Sequence, residues 1–86
     1  MKLDEKIITD VNYLFESPNG VKVLGGGETM REIIDSLREQ GMSDAEIEGH
    51  ISISTDTGYM PISEITGIRK NRNGFRRDDI LGTHKP

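Results

Sequence analysis

Cysteine is absent from these 86 residues, which excludes disulfides, thiolate metal sites and cysteine nucleophiles and agrees with a reducing compartment. Tryptophan is absent as well, aromatics make up 5% of the chain, and the hydrophobic share is 33%. The core must therefore be thin and mostly aliphatic. A chain of this length buries only about 60% of its unfolded surface, enough for one domain with little stability to spare. Support from a homo-oligomer or a bound partner fits that composition. The two histidines, His50 and His84, stand far apart, and neither H-x-x-x-H nor E-x-x-H spacing occurs, so neither a metal nor a cofactor is expected. No apolar run approaches the roughly 18 residues of a membrane span, and the opening MKLDEK has no long apolar h-region. The chain reads as soluble and cytoplasmic, without membrane contact.

What is present is charge, unevenly placed. The formal net charge is −4, yet residues 1–68 hold 5 basic and 13 acidic side chains, a balance of −8, whereas residues 69–86 hold 6 basic and 2 acidic, a balance of +4. Segregation of this kind points to surfaces that attract oppositely charged partners.

Hydropathy patterning predicts an α+β fold: a small antiparallel sheet built from hairpins and packed on one main amphipathic helix, with a short second helix. Residues 7–16, IITDVNYLFE, fit a helical stripe but also alternate strictly, and the following Ser17-Pro18-Asn19-Gly20 favours a strand entering a bulged turn. Pairing Ser17 with Val21 sets Glu16 opposite Lys22, Phe15 opposite Val23 and Leu14 opposite Leu24. A hairpin of residues 7–16 and 21–24 is expected. Thr29-Met30-Arg31-Glu32 matches a capping box, and Met30, Ile33, Ile34 and Leu37 form one apolar stripe ending at a Gly41 suited to a left-handed cap. The main helix is expected over about 29–40. Ser43-Asp44-Ala45-Glu46 is a second capping box, opening a helix of about 44–49 that buries Ala45 and Ile47. Residues 50–55 read as a strand burying Ile51 and Ile53, followed by a turn at Asp56-Thr57-Gly58, a short extended piece, and one helical turn over 62–65. Residues 68–72 and 75–80 flank Asn73-Gly74, a strong hairpin signal, and join the sheet. The domain spans 1–81, with 82–86 a flexible tail.

Several motifs fail on inspection. The run Gly25-Gly26-Gly27 before a helix allows a phosphate cradle, but no lysine follows it and Glu28 opposes an anion there. The stretch EQGMSDAEIEGHISIST imitates a helix-turn-helix, yet Glu48 occupies a position that wants a small residue, and Thr55, Thr57, Gly58 and Pro61 would break the recognition helix. His50 is a lone histidine beside a strand; a catalytic site would need a pocket around it with carboxylates converging. Asp78 and Asp79 point to opposite faces of a strand. The chain is not expected to be an enzyme.

The basic hairpin is the more distinctive feature. A two-residue turn pairs Arg72 with Phe75, Asn71 with Arg76, Lys70 with Arg77 and Arg69 with Asp78. Arg69 with Asp78 is favourable, whereas Lys70 opposite Arg77 sets like against like. Arg69, Lys70, Arg72, Phe75, Arg76 and Arg77 thus form a candidate partner-binding surface; the bland alternative is a charged edge that resists sheet-to-sheet aggregation. A second candidate surface is acidic: Glu28, Glu32, Asp35, Glu39, Asp44, Glu46 and Glu48. Together they predict a small non-catalytic binding protein of adaptor or inhibitor type, docking on a larger protein such as a nucleic-acid-handling enzyme. The alternative is a nucleic-acid-binding module using the hairpin of residues 68–79.

Overall fold

A computed structural model describes residues 2–8 and 11–68 and the backbone of residues 80–82. The chain opens with α1 (Leu3–Lys6), then β1 (Tyr13–Glu16), β2 (Lys22–Gly25), α2 (Gly27–Glu39), α3 (Asp44–Glu48), β3 (Ile51–Thr55) and β4 (Gly58–Pro61). A 3₁₀ turn at Ile62–Glu64 leads into β5 (Ile65–Ile68), which pairs with β6 (Ile80–Gly82). Strands β1 to β4 form one antiparallel sheet in the order β2-β1-β3-β4, and β5 and β6 form a separate two-stranded sheet. The α+β architecture with one main and one short helix is as the patterning predicts.

The first hairpin takes the expected register, with Glu16 facing Lys22, Phe15 facing Val23 and Leu14 facing Leu24. Its turn closes through the Ser17 N–H on the Val21 carbonyl at 2.8 Å, with Gly20 at φ +85°. A side chain would be strained in that left-handed conformation.

Alternation sorts the sheet into two faces. Tyr13, Phe15, Ile51, Ile53 and Met60 are buried, and Val23 packs against them. Leu14, Glu16, Lys22, Leu24, Ser52, Ser54, Tyr59 and Pro61 occupy the alternate positions and are half-buried or exposed. Helix α2 covers the inner face with Met30 and Ile34, both fully buried, while Ile33 and Leu37 pack at the margin. Its end is a Schellman closure: the Gly41 N–H bonds the Arg38 carbonyl at 3.0 Å and the Met42 N–H bonds the Leu37 carbonyl at 3.1 Å, with Gly41 at φ +94°. Helix α3 forms the expected capping box between Ser43 and Glu46, and Ile47 enters the core.

Five expectations need correction. First, β1 is confined to Tyr13–Glu16, and α1 precedes it. Ile7 and Val11 are buried outside any strand, because the Tyr13 hydroxyl holds this segment against the sheet. It accepts the Ile8 N–H at 2.6 Å and donates to the Lys6 carbonyl at 2.7 Å. Second, α2 starts at Gly27 with Gly26 as N-cap, and no side chain caps it, so the Thr29 box does not form. Thr29 instead packs over Gly25, where an added Cβ would lie 3.0 Å from its side chain. Third, Ala45 is exposed; with only five residues, α3 turns one side chain inward, and that is Ile47. Fourth, the helical turn after Pro61 ends at Glu64, and Ile65 begins β5. Fifth, β5 and β6 form a sheet of their own, and among the described residues the edge strand β4 pairs with β3 alone. The pairing of β5 with β6 reaches Gly82, the first residue of the expected tail, and sets Ile68 against Ile80. The Asn73-Gly74 turn and the pairs from Arg69–Asp78 to Arg72–Phe75 lie outside the described residues.

Replacing Tyr13 by Phe keeps the ring in place but removes the hydroxyl that satisfies Ile8 and Lys6. Leaving buried backbone groups unpaired costs about 1–3 kcal/mol, so a loss of about 2 kcal/mol in unfolding free energy is expected by urea denaturation. An unchanged midpoint would show that water substitutes fully for the hydroxyl.

Candidate functional site

The seven acidic side chains singled out in the sequence divide into two groups. Glu28, Glu32, Asp35 and Glu39 recur at i, i+4, i+7 and i+11 along α2, and at about 100° per residue they share one narrow face. All four are exposed, and they lie opposite the buried Met30 and Ile34. The ridge runs for roughly 16 Å along the helix. Like charges three and four residues apart each cost a few tenths of a kcal/mol, offset in part by Glu28 in the first turn, at the positive end of the helix, and by Arg38 near Asp35.

Asp44, Glu46 and Glu48 in α3 are engaged within the fold. Arg38 Nε and Nη2 donate to the two carboxylate oxygens of Asp44 at 2.9 and 3.0 Å, and Arg38 Nη1 donates to Asp4 at 3.1 Å. The bidentate contact holds the Asp44 carboxyl below its usual range, and the hydrogen bonds to Asp44 and then Asp4 raise the Arg38 pKa. Nη1 also stands 3.9 Å from Asp35, which makes Asp35 the ridge member with a cation beside it. Glu46 closes the capping box through the Ser43 N–H and hydroxyl. Glu48 pairs with Lys6, whose amino group is buried and also donates to the Ile62 carbonyl at 3.2 Å. Sequence reasoning missed Lys6, since its partner lies 42 residues away and no local pattern signals it.

The basic set, Arg69, Lys70, Arg72, Phe75, Arg76 and Arg77, lies outside the described residues. The glycine run shrinks to a single N-cap, Gly26, between β2 and α2, which leaves no loop to wrap a phosphate. The stretch resembling a helix-turn-helix holds one five-residue helix followed by β3, so it has no recognition helix.

His50 borders a depression of about 260 Å³ on the outer face of the sheet, lined by Leu14, Glu16, Ser17, Gly49, His50 and Ser52. The elements place these residues together because β1 pairs with β3, Leu14 against Ser52, and the Glu16 N–H bonds the His50 carbonyl at 2.9 Å. His50 Nδ1 stands 2.8 Å from the Glu16 carbonyl, and its ring tilts against Phe15 with centroids 6.0 Å apart. Among the described residues, Glu16 is the carboxylate that borders the depression. The even positions of β1 and β3 were readable from the sequence, but the pairing of the two strands was not.

Among the described residues, no group of three or more His, Cys, Asp or Glu side chains is placed to hold a metal ion, and no helix is long and apolar enough to cross a membrane. No protein-family model, curated protein sequence or solved structure matches the chain.

Proposed function

We propose that this chain is a small non-catalytic binding protein, of adaptor or inhibitor type, that docks on a basic surface of a larger protein through the outer face of α2. The observation that carries this is the ridge of Glu28, Glu32, Asp35 and Glu39, exposed along one face with a like charge as neighbour at each step. A ridge of one sign speeds and orients encounter with an oppositely charged surface more than it tightens the complex. A basic nucleic-acid-handling protein, met in the cytoplasm, has the complementary chemistry.

Affinity capture from the native host tests the proposal, comparing the wild type with Glu28→Lys, Glu32→Lys and Glu39→Lys combined. The wild type is expected to retain a stoichiometric protein that the variant loses, and retention should fall as salt rises. Capture of no stoichiometric protein, or equal retention by both chains, would overturn the docking role of α2. The alternative, nucleic-acid binding, draws on the +4 balance of residues 69–86. It predicts salt-sensitive binding in low-salt titrations that Arg72→Glu with Arg77→Glu abolishes.

A further inference from the structure

The depression beside His50 lies on the sheet face opposite α2, so its chemistry is independent of the acidic ridge. It is lined by Leu14, the apolar side chain among them, and by Glu16, Ser17, Gly49, His50 and Ser52. Two groups of the lining offer hydrogen-bond acceptors when the histidine ring is neutral. A backbone carbonyl can only accept, so the contact of His50 Nδ1 with the Glu16 carbonyl at 2.8 Å puts the proton of the neutral ring on Nδ1. Nε2 is then left with a lone pair. The Glu16 carboxylate brings only acceptor oxygens, and it forms no ion pair among the described residues, even though Lys22 stands opposite it on β2. The hydroxyl of Ser17 already accepts the Val21 N–H at 3.1 Å, and that of Ser52 adds a second adaptable group.

Among the described residues the site offers a carboxylate, an imidazole acceptor, hydroxyls and the Leu14 side chain, a set that suits a cation with several donors and an apolar stem. Guanidinium fits this better than ammonium. Its planar fork presents five N–H donors that reach two separate acceptors at once, and it is less strongly hydrated, so entering a partly enclosed site costs less. Beside the depression, Leu24 faces Leu14 across β1 and β2 and is 62% exposed, and Val21 is 61% exposed. They offer apolar contact to the residues flanking an inserted side chain.

We propose that this depression is a receptor for an arginine side chain presented by a protein partner, with the Glu16 carboxylate and His50 Nε2 receiving the guanidinium and Leu14 supporting its stem. The test is an NMR titration of the whole chain with N-acetylarginine methylamide, and with the citrulline compound of the same shape and no charge. Amide shifts are expected at Leu14, Gly49, His50 and Ser52 with the arginine compound, saturating at low millimolar concentration, and absent with citrulline. Glu16→Gln removes the charge from an exposed side chain and should weaken the response at least tenfold while leaving the rest of the spectrum in place. His50→Phe keeps a ring against Phe15, removes the acceptor, and should weaken it several-fold. Equal shifts with citrulline, shifts that survive Glu16→Gln, or shifts confined to α2 would each overturn the assignment. Shifts confined to α2 would do so while leaving the docking role of the ridge standing, so the two proposals fail separately.

Discussion

Replacing Glu48 by leucine is expected to lower the unfolding free energy by about 3 kcal/mol, because it strands the ammonium of Lys6 in the core. The Lys6 side chain is 5% exposed and that of Glu48 19%, so water reaches the pair only from the glutamate side. After the change the Ile62 carbonyl, 3.2 Å away, is the hydrogen-bond acceptor left to the lysine among the described residues, and a single neutral oxygen does not offset the desolvation of a full charge. Removing both members gives a different result. Lys6→Met with Glu48→Leu substitutes apolar groups of similar length for the pair and should restore most of the loss, since a buried ion pair and a well-packed apolar pair are often nearly equal in stability. Urea denaturation of the two single variants and the double variant measures this as a cycle. If Glu48→Leu alone proves neutral, Lys6 finds water in the folded chain and the pair is no clamp.

Ile47→Ala is expected to cost about 3 kcal/mol for a separate reason. The side chain is fully buried, and truncating a buried isoleucine costs about 2–5 kcal/mol through lost transfer energy and the cavity left behind. Helix α3 has five residues, too few to persist without tertiary anchorage. Its anchors are Ile47 in the core, Glu48 on Lys6 and, at the surface, Asp44 on Arg38 of α2. Loss of Ile47 or Glu48 should therefore raise amide hydrogen exchange through Asp44–Glu48 before it does so in α2. For a domain of this size, total stability is roughly 4–13 kcal/mol, so either change removes a large part of it. Ala45→Ser provides the control: the site is exposed, and the change should move the midpoint little. Equal losses at positions 45 and 47 would mean that helix propensity, and not anchorage, governs α3.

Local signals in this sequence were legible where the chain answers to its neighbours. The first hairpin register, the apolar stripe of α2, the glycine that ends it, and the Ser43 capping box all follow from residues within a turn or two of each other. Signals that depend on distant partners were not. Ile7 and Val11 alternate like a strand, but their burial comes from the Tyr13 hydroxyl bonding across five and seven residues. The Thr29 box satisfies the letter of a capping motif, yet the helix starts two residues earlier, at Gly27, and Thr29 lies over Gly25. Candidate sites divide along the same line. The α2 ridge could be read from spacing alone, because a helix places i, i+4, i+7 and i+11 on one face whatever it packs against. The assignment of Asp44 to Arg38 and Glu48 to Lys6 required tertiary structure, as did the depression beside His50, which exists only because β3 lies beside β1.

The order of events along a growing chain follows from where Lys6 ends up. Its partners are Glu48 and the carbonyl of Ile62, and the core also needs Met60, Ile62 and Ile65. At synthesis rates of roughly 5–20 residues per second, the N-terminal segment waits for several seconds before those residues exist. During that interval Leu3, Ile7 and Val11 have no finished surface to cover. The first hairpin and α2 draw on contacts between near neighbours in the chain, whereas closure of the N-terminal segment has to wait for partners that lie 42 and 56 positions further on.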